Sequence, residues 1–258
     1  MESPSRTILR GVVRYDGTNL CGWQAQPGLP TVQGALQTAL ARIAQRTIPV
    51  QGAACTDTGV HAFGQTISFD WDGGPPERLR HALSKMLGPE IQVQSLEPAP
   101  PGFNARFDAR GKRYAYTLDL GREPDPLSAR YAWHVPHKLD LDLMAGLAPL
   151  LVGVHDFAGF QSTGGHHRDS TVCTLHSAQL SHGGTIAPCD AQHLWRIVFD
   201  GYGFLYRMVR NMTGTLVEIA RGRFPKDFLE TSLNSPGPFR GHCAPAHGLV
   251  LEKVYYDE

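Results

Sequence analysis

The sequence predicts an α+β protein built from two ferredoxin-like halves fused in one chain. Two observations support this prediction. Hydrophobic periodicity indicates the element order β-α-β-β-α-β in residues 1–105, and a similar order again in residues 106–258. The stretch between the halves, "EPAPPGFNARFDARG", is rich in Pro, Gly and Arg, which is typical of a linker or a functional loop. Two fused units of this kind place their sheets side by side, with a groove between them.

The first half contains one clearly amphipathic helix and one clearly alternating strand. Val32, Leu36, Leu40 and Ile43 recur at helical spacing, and Thr66 to Trp71 alternates as a half-buried strand does. The predicted elements are a strand at Thr7 to Tyr15, a helix opened by Pro30-Thr31, a short strand near Thr47 to Ala54, a strand at Thr66 to Trp71, a helix opened by Pro75-Pro76 and ended by Gly88-Pro89, and a strand at Ile91 to Leu96.

The second half repeats this order without sequence similarity to the first. The predicted elements are a strand at Lys112 to Leu120, a helix at Asp140 to Val152, strands at Thr171 to Ser181 and Leu194 to Asp200, a helix at Phe204 to Ala220, a short helix after Pro225, and a strand at Leu249 to Tyr256. The helix at Phe204 to Ala220 carries arginines, among them Arg210. They form a solvated basic face, or one turns inward toward a carboxylate.

Composition indicates a soluble cytoplasmic protein. Of the 258 residues 41% are apolar, and 24 basic side chains balance 24 acidic ones, so net charge gives no sign of a polyanionic partner. The five cysteines are odd in number and form no CxxC pair, which argues against a disulfide framework or a zinc site. We find no apolar run long enough for a signal peptide or a membrane span.

A lone acid, Asp57, stands out in "AACTDTGVHAFGQ" between two predicted strands. By itself this pattern is typical of a turn carboxylate that accepts backbone N–H bonds. Tyr114, in "GKRYAYTL", has a similar ambiguity. Basic and aromatic residues mixed on a strand suit stacking on an unpaired base, but they also occur in an ordinary alternating strand.

Neither a metal nor a nucleotide cofactor is expected. The segment "FQSTGGHHRDS" holds His166 and His167, but adjacent residues point apart on most backbones and Cys173 alone would not complete a ligand set. We find no GxSxG, Walker-type or GxGxxG sequence.

Taken in order, six blocks resemble the tRNA pseudouridine synthase A family over nearly the whole chain. They are "RYDGTNLCGWQAQPGLPTVQGAL", "TDTGVHAFGQ", "FNARFDARGKRYAYTL", "HDFAGF", "RMVRNMTGTLVEIARGR" and "APAHGLVLEKVYY". The resemblance implies one mixed, largely antiparallel sheet with helices on one side and a basic central cleft. It also implies a homodimer that isomerises uridine to pseudouridine in the anticodon stem-loop of tRNA, at positions 38 to 40, without a cofactor.

The resemblance implies a role for three residues of this chain. Asp57, in the N-terminal half, matches the aspartate that acts as nucleophile or base on a flipped-out uridine. Tyr114 matches a tyrosine that stacks on the uracil, and Arg210 matches an arginine that supports the charged aspartate. Both lie in the C-terminal half.

The chain departs from the family's pattern at Cys55. The family reads G-R-T-D-A-G-V-H, whereas this chain has Cys55 in place of the arginine that occupies the space of the flipped base, and Cys173 stands where another arginine is expected. Either each cysteine packs in a strand, or Arg106 of "FNARFDA" takes over part of the work. The alternative function is a weakened paralogue that binds structured RNA without turnover, and a metal hydrolase is a second rival.

Overall fold

The computed structural model describes residues 7–164, 169–186, 191–234 and 237–257. Its contacts divide the chain into a first unit, Met1–Arg110 with Leu251–Glu258, and a second unit, Gly111–Val250. The predicted halves met at residues 105 and 106, so the observed units differ from them by residues 106–110 and by the last eight residues. Residues 251–257 therefore complete a unit that begins more than two hundred positions earlier in the chain.

Ten strands and five helices make up the described chain. The strands are β1 (Thr7–Tyr15), β2 (Gln51–Gly52), β3 (His61–Trp71), β4 (Ile91–Pro98), β5 (Gly111–Asp119), β6 (Trp133–His134), β7 (Gly153–Asp156), β8 (Val172–His182), β9 (Leu194–Tyr202) and β10 (Leu249–Tyr255). The helices are α1 (Val32–Ala44), α2 (Pro76–Met86), α3 (Leu141–Leu147), α4 (Met208–Ala220) and α5 (Phe228–Asn234).

Within the first unit the strand order is β4-β1-β3-β10, with the short β2 also paired to β3. Within the second unit it is β5-β9-β8-β7, with β6 paired to β5. The pairs β1–β3, β1–β4, β2–β3, β5–β9, β7–β8 and β8–β9 are antiparallel, and β5–β6 is parallel. The predicted α+β class and largely antiparallel pairing are confirmed.

Helix α1 forms as its sequence predicts. Thr31 is the N-cap, and its side chain accepts a hydrogen bond from the Gly34 amide at 3.3 Å. Val32, Leu36 and Leu40 are fully buried on one face, as their spacing requires.

Strand β3 is longer than predicted and is not half-buried. Ile67 and Phe69 lie buried on one face, but Thr66 and Ser68 on the other face are also only 3% exposed. The prediction was wrong because the loop at residues 103–108 covers that second face, where the Ala105 amide donates to Ser68 Oγ at 3.0 Å.

The strand predicted near Thr47 to Ala54 is reduced to the two residues of β2. The Ala53 amide still donates to the Thr66 carbonyl of β3 at 2.9 Å. At Ala54 the Gln65 side chain replaces the backbone ladder: its Nε2 donates to the Ala54 carbonyl at 2.6 Å, and its Oε1 accepts from the Ala54 amide at 3.1 Å.

Two helices in the second unit are shorter than predicted. Helix α4 begins at Met208 rather than Phe204 because Arg207 adopts a left-handed conformation with φ 58°. Helix α3 ends at Leu147 and continues as a 3₁₀ turn, Ala148–Leu151, where Pro149 disfavours further α-helix. None of the described helices is long and apolar enough to cross a membrane.

Candidate active site

Asp57 lies in the first unit, on the loop between β2 and β3. The Val60 amide donates to the Asp57 carbonyl at 3.1 Å, and Gly59 takes a φ of 79°, which closes a tight turn directly after the carboxylate. The turn is tied to a second segment, since the Gly59 amide donates to the Leu20 carbonyl at 3.3 Å.

The segment "RYDGTNLCGW" packs against the backbone of this loop. The Trp23 amide donates to the Thr56 carbonyl at 3.0 Å. A Cβ on Gly17 would overlap the Val60 carbonyl, and a Cβ on Gly22 would lie 2.6 Å from the Thr56 carbonyl oxygen. Glycine at these two positions lets one backbone approach another closely, which fixes the position of the Asp57 turn relative to residues 17–22.

A buried tyrosine supports the residue that precedes Asp57. The Tyr15 hydroxyl lies 2.7 Å from Thr56 Oγ1, and Tyr15 is only 3% exposed. Burial raises the pKa of the Tyr15 phenol far above its usual range, although hydrogen bonds with the Thr56 and Gln65 side chains oppose the rise. The hydroxyl therefore stays protonated and available as a hydrogen-bond partner for Thr56.

His61 ties the other end of the loop to the turn after β1. Its ring is 1% exposed, and Nδ1 lies 3.0 Å from the Gly17 amide and 3.1 Å from Asp16 Oδ1. One nitrogen cannot serve both neighbours in the same way: it accepts from the Gly17 amide when unprotonated and donates to Asp16 when protonated.

Cys55 and Arg106 both lie within electrostatic range of this loop. Burial raises the pKa of the Cys55 thiol, the Asp57 carboxylate raises it further, and the Arg106 guanidinium opposes both effects. Cys55 is exposed as a residue, yet the protein removes enough water from the sulfur to disfavour the thiolate. The structure thus brings Cys55, Asp57 and Arg106 together, with Cys55 as a neutral thiol.

Tyr114 lies in the second unit, on β5, opposite Phe199 of β9. It is 8% exposed, and its ring contacts the Phe204 ring edge-on, with centroids 5.0 Å apart and planes at 76°. Packing of this kind restricts the orientation of the Tyr114 ring.

Arg210 is held in the first turn of α4. Its Nε donates to the Ala244 carbonyl at 2.8 Å, and its own carbonyl accepts from the Ala244 amide at 3.1 Å. Its charge acts on two neighbours. Burial lowers the pKa of His247, which Arg210 lowers further, and burial raises the pKa of Tyr116, which Arg210 opposes. The arginine of "MVRN" is therefore positioned by backbone contacts rather than left on a solvated face.

Cys173 packs in strand β8 and is 3% exposed. Its thiol contacts the Gly203 carbonyl, and its sulfur lies 3.7 Å from the Thr171 carbonyl oxygen. This agrees with the packing explanation of the cysteine.

Within the part of the chain that the structure describes, no group of three or more potential ligands lies close enough together to hold a metal ion. His166 and His167 lie outside the described residues.

Sequence reasoning missed the side chains that surround the predicted ones. Tyr15 and Gln65 support the Asp57 loop, Phe204 supports Tyr114, and Phe107 lies next to Arg106. Gln65 shares a quoted block with Asp57, and Phe107 shares one with Arg106. Tyr15 stands in the first block, and Phe204 lies outside all six, so no local signal pointed to it.

Comparison with known proteins gives extensive matches. The profile of a family described as tRNA pseudouridine synthase matches residues 12–108 and 147–257. A tRNA pseudouridine synthase A of Bacillus licheniformis is 40% identical over 253 residues, covering 96% of this chain and 99% of the relative. One from Geobacter sulfurreducens is 38% identical over 253 residues, covering 97% of this chain and 100% of the relative. A chain in the crystal structure of a Cbf5-Nop10-Gar1 complex is 10% identical with a TM-score of 0.31, covering 82% of this chain and 54% of that chain.

Matches of this extent place the chain in the class of isomerases that act on uridine in RNA. The chain belongs to the tRNA pseudouridine synthase family. The family resemblance drawn from the six sequence blocks is confirmed.

Proposed function

We propose that this chain converts uridine to pseudouridine at positions 38 to 40 in the anticodon stem-loop of tRNA, with Asp57 as the nucleophile or base. The observation that carries the proposal is the support of the Asp57 turn, which a second segment holds through the Thr56 and Leu20 carbonyls and the Tyr15 hydroxyl. These contacts hold the turn in one conformation, as a nucleophile or base requires.

The reaction explains why a single carboxylate suffices. Uridine and pseudouridine are isomers, so the enzyme breaks the N1–C1′ bond, rotates the uracil and forms a C5–C1′ bond, after which the C5 proton leaves and N1 gains one. No electrons, water or group donor are consumed. An ionised Asp57 attacks C1′, or starts cleavage as a base, and is regenerated when the base rejoins.

Tyr114, Arg210 and Arg106 take substrate-binding roles in this proposal. The target uridine leaves its stack, at a cost of a few kcal/mol, and Tyr114 stacks on the detached uracil. Arg210 supports the charged state of Asp57, and Arg106 contacts the RNA backbone in place of the arginine that Cys55 replaces. The proposal requires that Asp57 of the first unit and both Tyr114 and Arg210 of the second face the same uridine.

The assembly and compartment follow from the same family assignment. We propose a homodimer that works in the cytoplasm on tRNA, with no metal or nucleotide cofactor. Light scattering of the purified chain, alone and with tRNA, tests the dimer directly.

The central test replaces Asp57 with Asn. We expect Asp57→Asn to reduce tritium release from C5-labelled tRNA by at least about 1,000-fold, as loss of a nucleophile does. The tRNA Kd should change little, because affinity depends mainly on phosphate contacts.

Asp70→Asn, at an exposed carboxylate of β3, is the matched control and should leave both quantities unchanged. Retained turnover in Asp57→Asn, or equal loss of turnover and binding, would contradict the assigned role.

A second candidate function is RNA binding without turnover. Cys55, a neutral thiol where the family has arginine, is the observation that favours it. If the wild-type chain binds tRNA and releases no tritium under the same conditions, this function replaces the enzymatic one.

A further inference from the structure

An exposed aromatic ring follows Arg106 in the chain and has no role in the reaction described so far. Phe107 is 74% exposed. It belongs to the loop at residues 103–108, which we call the Phe107 loop. Isolated exposed apolar residues are common on proteins, so exposure alone means little, and three further features of the loop set Phe107 apart.

The first feature is an internal hydrogen-bond network that orders the loop. Asn104 Oδ1 accepts from the amides of Arg106 and Phe107, at 2.9 and 3.2 Å. Asp108 Oδ2 accepts from the Asn104 amide at 2.8 Å, and the Asp108 amide donates to the Asn104 carbonyl at 3.0 Å. Side-chain oxygens of this kind mimic backbone turns and fix the direction in which the tip residues point.

The second feature is that the amide and the carbonyl of Ala105 anchor the loop to neighbouring elements. Ala105 is fully buried. The Ala105 amide donates to Ser68 Oγ on β3 at 3.0 Å, and its carbonyl accepts from the Tyr256 hydroxyl at 2.6 Å. The ring of Phe107 is therefore presented by a preformed scaffold, so little ordering entropy is lost when a ligand binds to it.

The third feature is the neighbour of Phe107. The Arg106 guanidinium lies 5.8 Å from the centre of the Phe107 ring, and its charge reaches the Cys55 thiol two positions before Asp57. A cation and an exposed aromatic face thus lie together at the edge of the candidate active site.

We propose that Phe107 stacks on an unpaired nucleobase of the substrate RNA next to the target uridine, while Arg106 contacts the adjoining phosphate. Every base has a π-face and every nucleotide a phosphate, so an aromatic ring paired with a cation matches a single-stranded nucleotide. The proposal rests on the proposed function, because it places the bound nucleotide beside the uridine that Asp57 attacks.

The test measures binding of an anticodon stem-loop RNA to Asp57→Asn chains, so that turnover does not enter. We expect Phe107→Leu to weaken the Kd about tenfold, within the range seen when a stacking residue is lost. Phe107→Trp should bind as well as the parent, because an indole also stacks. Leu127→Ala is the matched control, since Leu127 is an 80% exposed apolar residue on the other unit.

Salt dependence separates the two roles. Arg106→Gln should reduce the slope of log K against log salt by about 0.7, the value for one phosphate contact on a single strand. Phe107→Leu should leave the slope unchanged, because stacking releases no counterions.

Two results would overturn the proposal: equal affinity of Phe107→Leu and the parent for the RNA, or equal loss of affinity in Phe107→Leu and Phe107→Trp in chains that fold normally. Absence of tritium release by the wild-type chain would overturn the proposed function. The RNA affinities would still decide whether Phe107 stacks on a base.

Discussion

The surroundings of Cys55 set the protonation state of its thiol. A cysteine beside a candidate active site suggests a nucleophile, yet burial and the Asp57 charge raise the pKa of its thiol. A protonated thiol neither attacks a sugar nor contacts a phosphate. In the proposed mechanism the chemistry therefore belongs to Asp57, and Cys55 is a neutral thiol beside it.

Restoring the arginine should accelerate the reaction. We expect Cys55→Arg to raise the single-turnover rate of pseudouridine formation about fivefold, which corresponds to about 1 kcal/mol of barrier. Residue 55 is exposed, so the longer side chain has room.

Combining Cys55→Arg with Arg106→Gln shows whether Arg106 now compensates. If it does, Arg106→Gln should lower the single-turnover rate less in the Cys55→Arg background than in wild type. No gain from Cys55→Arg in a normally folded chain would show that the site has been rebuilt around the cysteine.

A side-chain hydrogen bond joins strand β1 to the Asp57 loop. Strand β1 reaches this loop through the Tyr15 hydroxyl, whose partner Thr56 is 41 positions away. Each end of that contact lies in a motif recognisable from the sequence, but local patterns do not reveal that the two meet.

Tyr15→Phe should therefore impair turnover more than binding. We expect a lower kcat with an unchanged tRNA Kd, and a loss of about 1 kcal/mol in the free energy of unfolding from one buried hydrogen bond. Single-turnover kinetics and urea titration provide the measurements.

The matched control is Tyr202→Phe, since Tyr202 is 54% exposed. Equal kinetic effects of the two substitutions would contradict a positioning role for Tyr15.

Sequence patterns predicted the elements whose signals are local. Thr31 and the spacing of Val32, Leu36 and Leu40 predicted where α1 begins. Strand β2 was overpredicted because the Gln65 side chain takes the place of the ladder, and the short β6 and β7 were not predicted at all. Asp57 was identified by family resemblance, while its support by Tyr15 depends on long-range packing.

At the scale of the whole molecule, stability should depend on pH through His247. Burial, with the Arg210 charge as a smaller contribution, lowers the pKa of His247 in the folded chain, whereas a backbone contact with Ala132 opposes the shift. The folded chain then binds fewer protons than the unfolded chain at acid pH. The stability contributed by the neutral ring is complete above the unfolded pKa of about 6.5 and is lost as pH falls through the folded pKa.

We expect the urea midpoint of the wild-type chain to fall between pH 7.5 and pH 5.5, and His247→Gln to reduce that fall. His81→Gln, at an exposed position of α2, is the control and should leave the fall as it is in wild type. An identical pH profile in wild type and His247→Gln would contradict the assignment.

The hydrogen bond from Tyr256 to Ala105 has a consequence for biosynthesis. A ribosome makes residues 1–110 early, but the strand and hydroxyl that finish their fold emerge only about 140 residues later. During that interval the nascent first unit exposes an unpaired edge of β3, and the scaffold beneath Arg106 and Phe107 is incomplete. A partly made chain therefore lacks the ordered surface proposed for RNA until Tyr256 has been made and folded against Ala105.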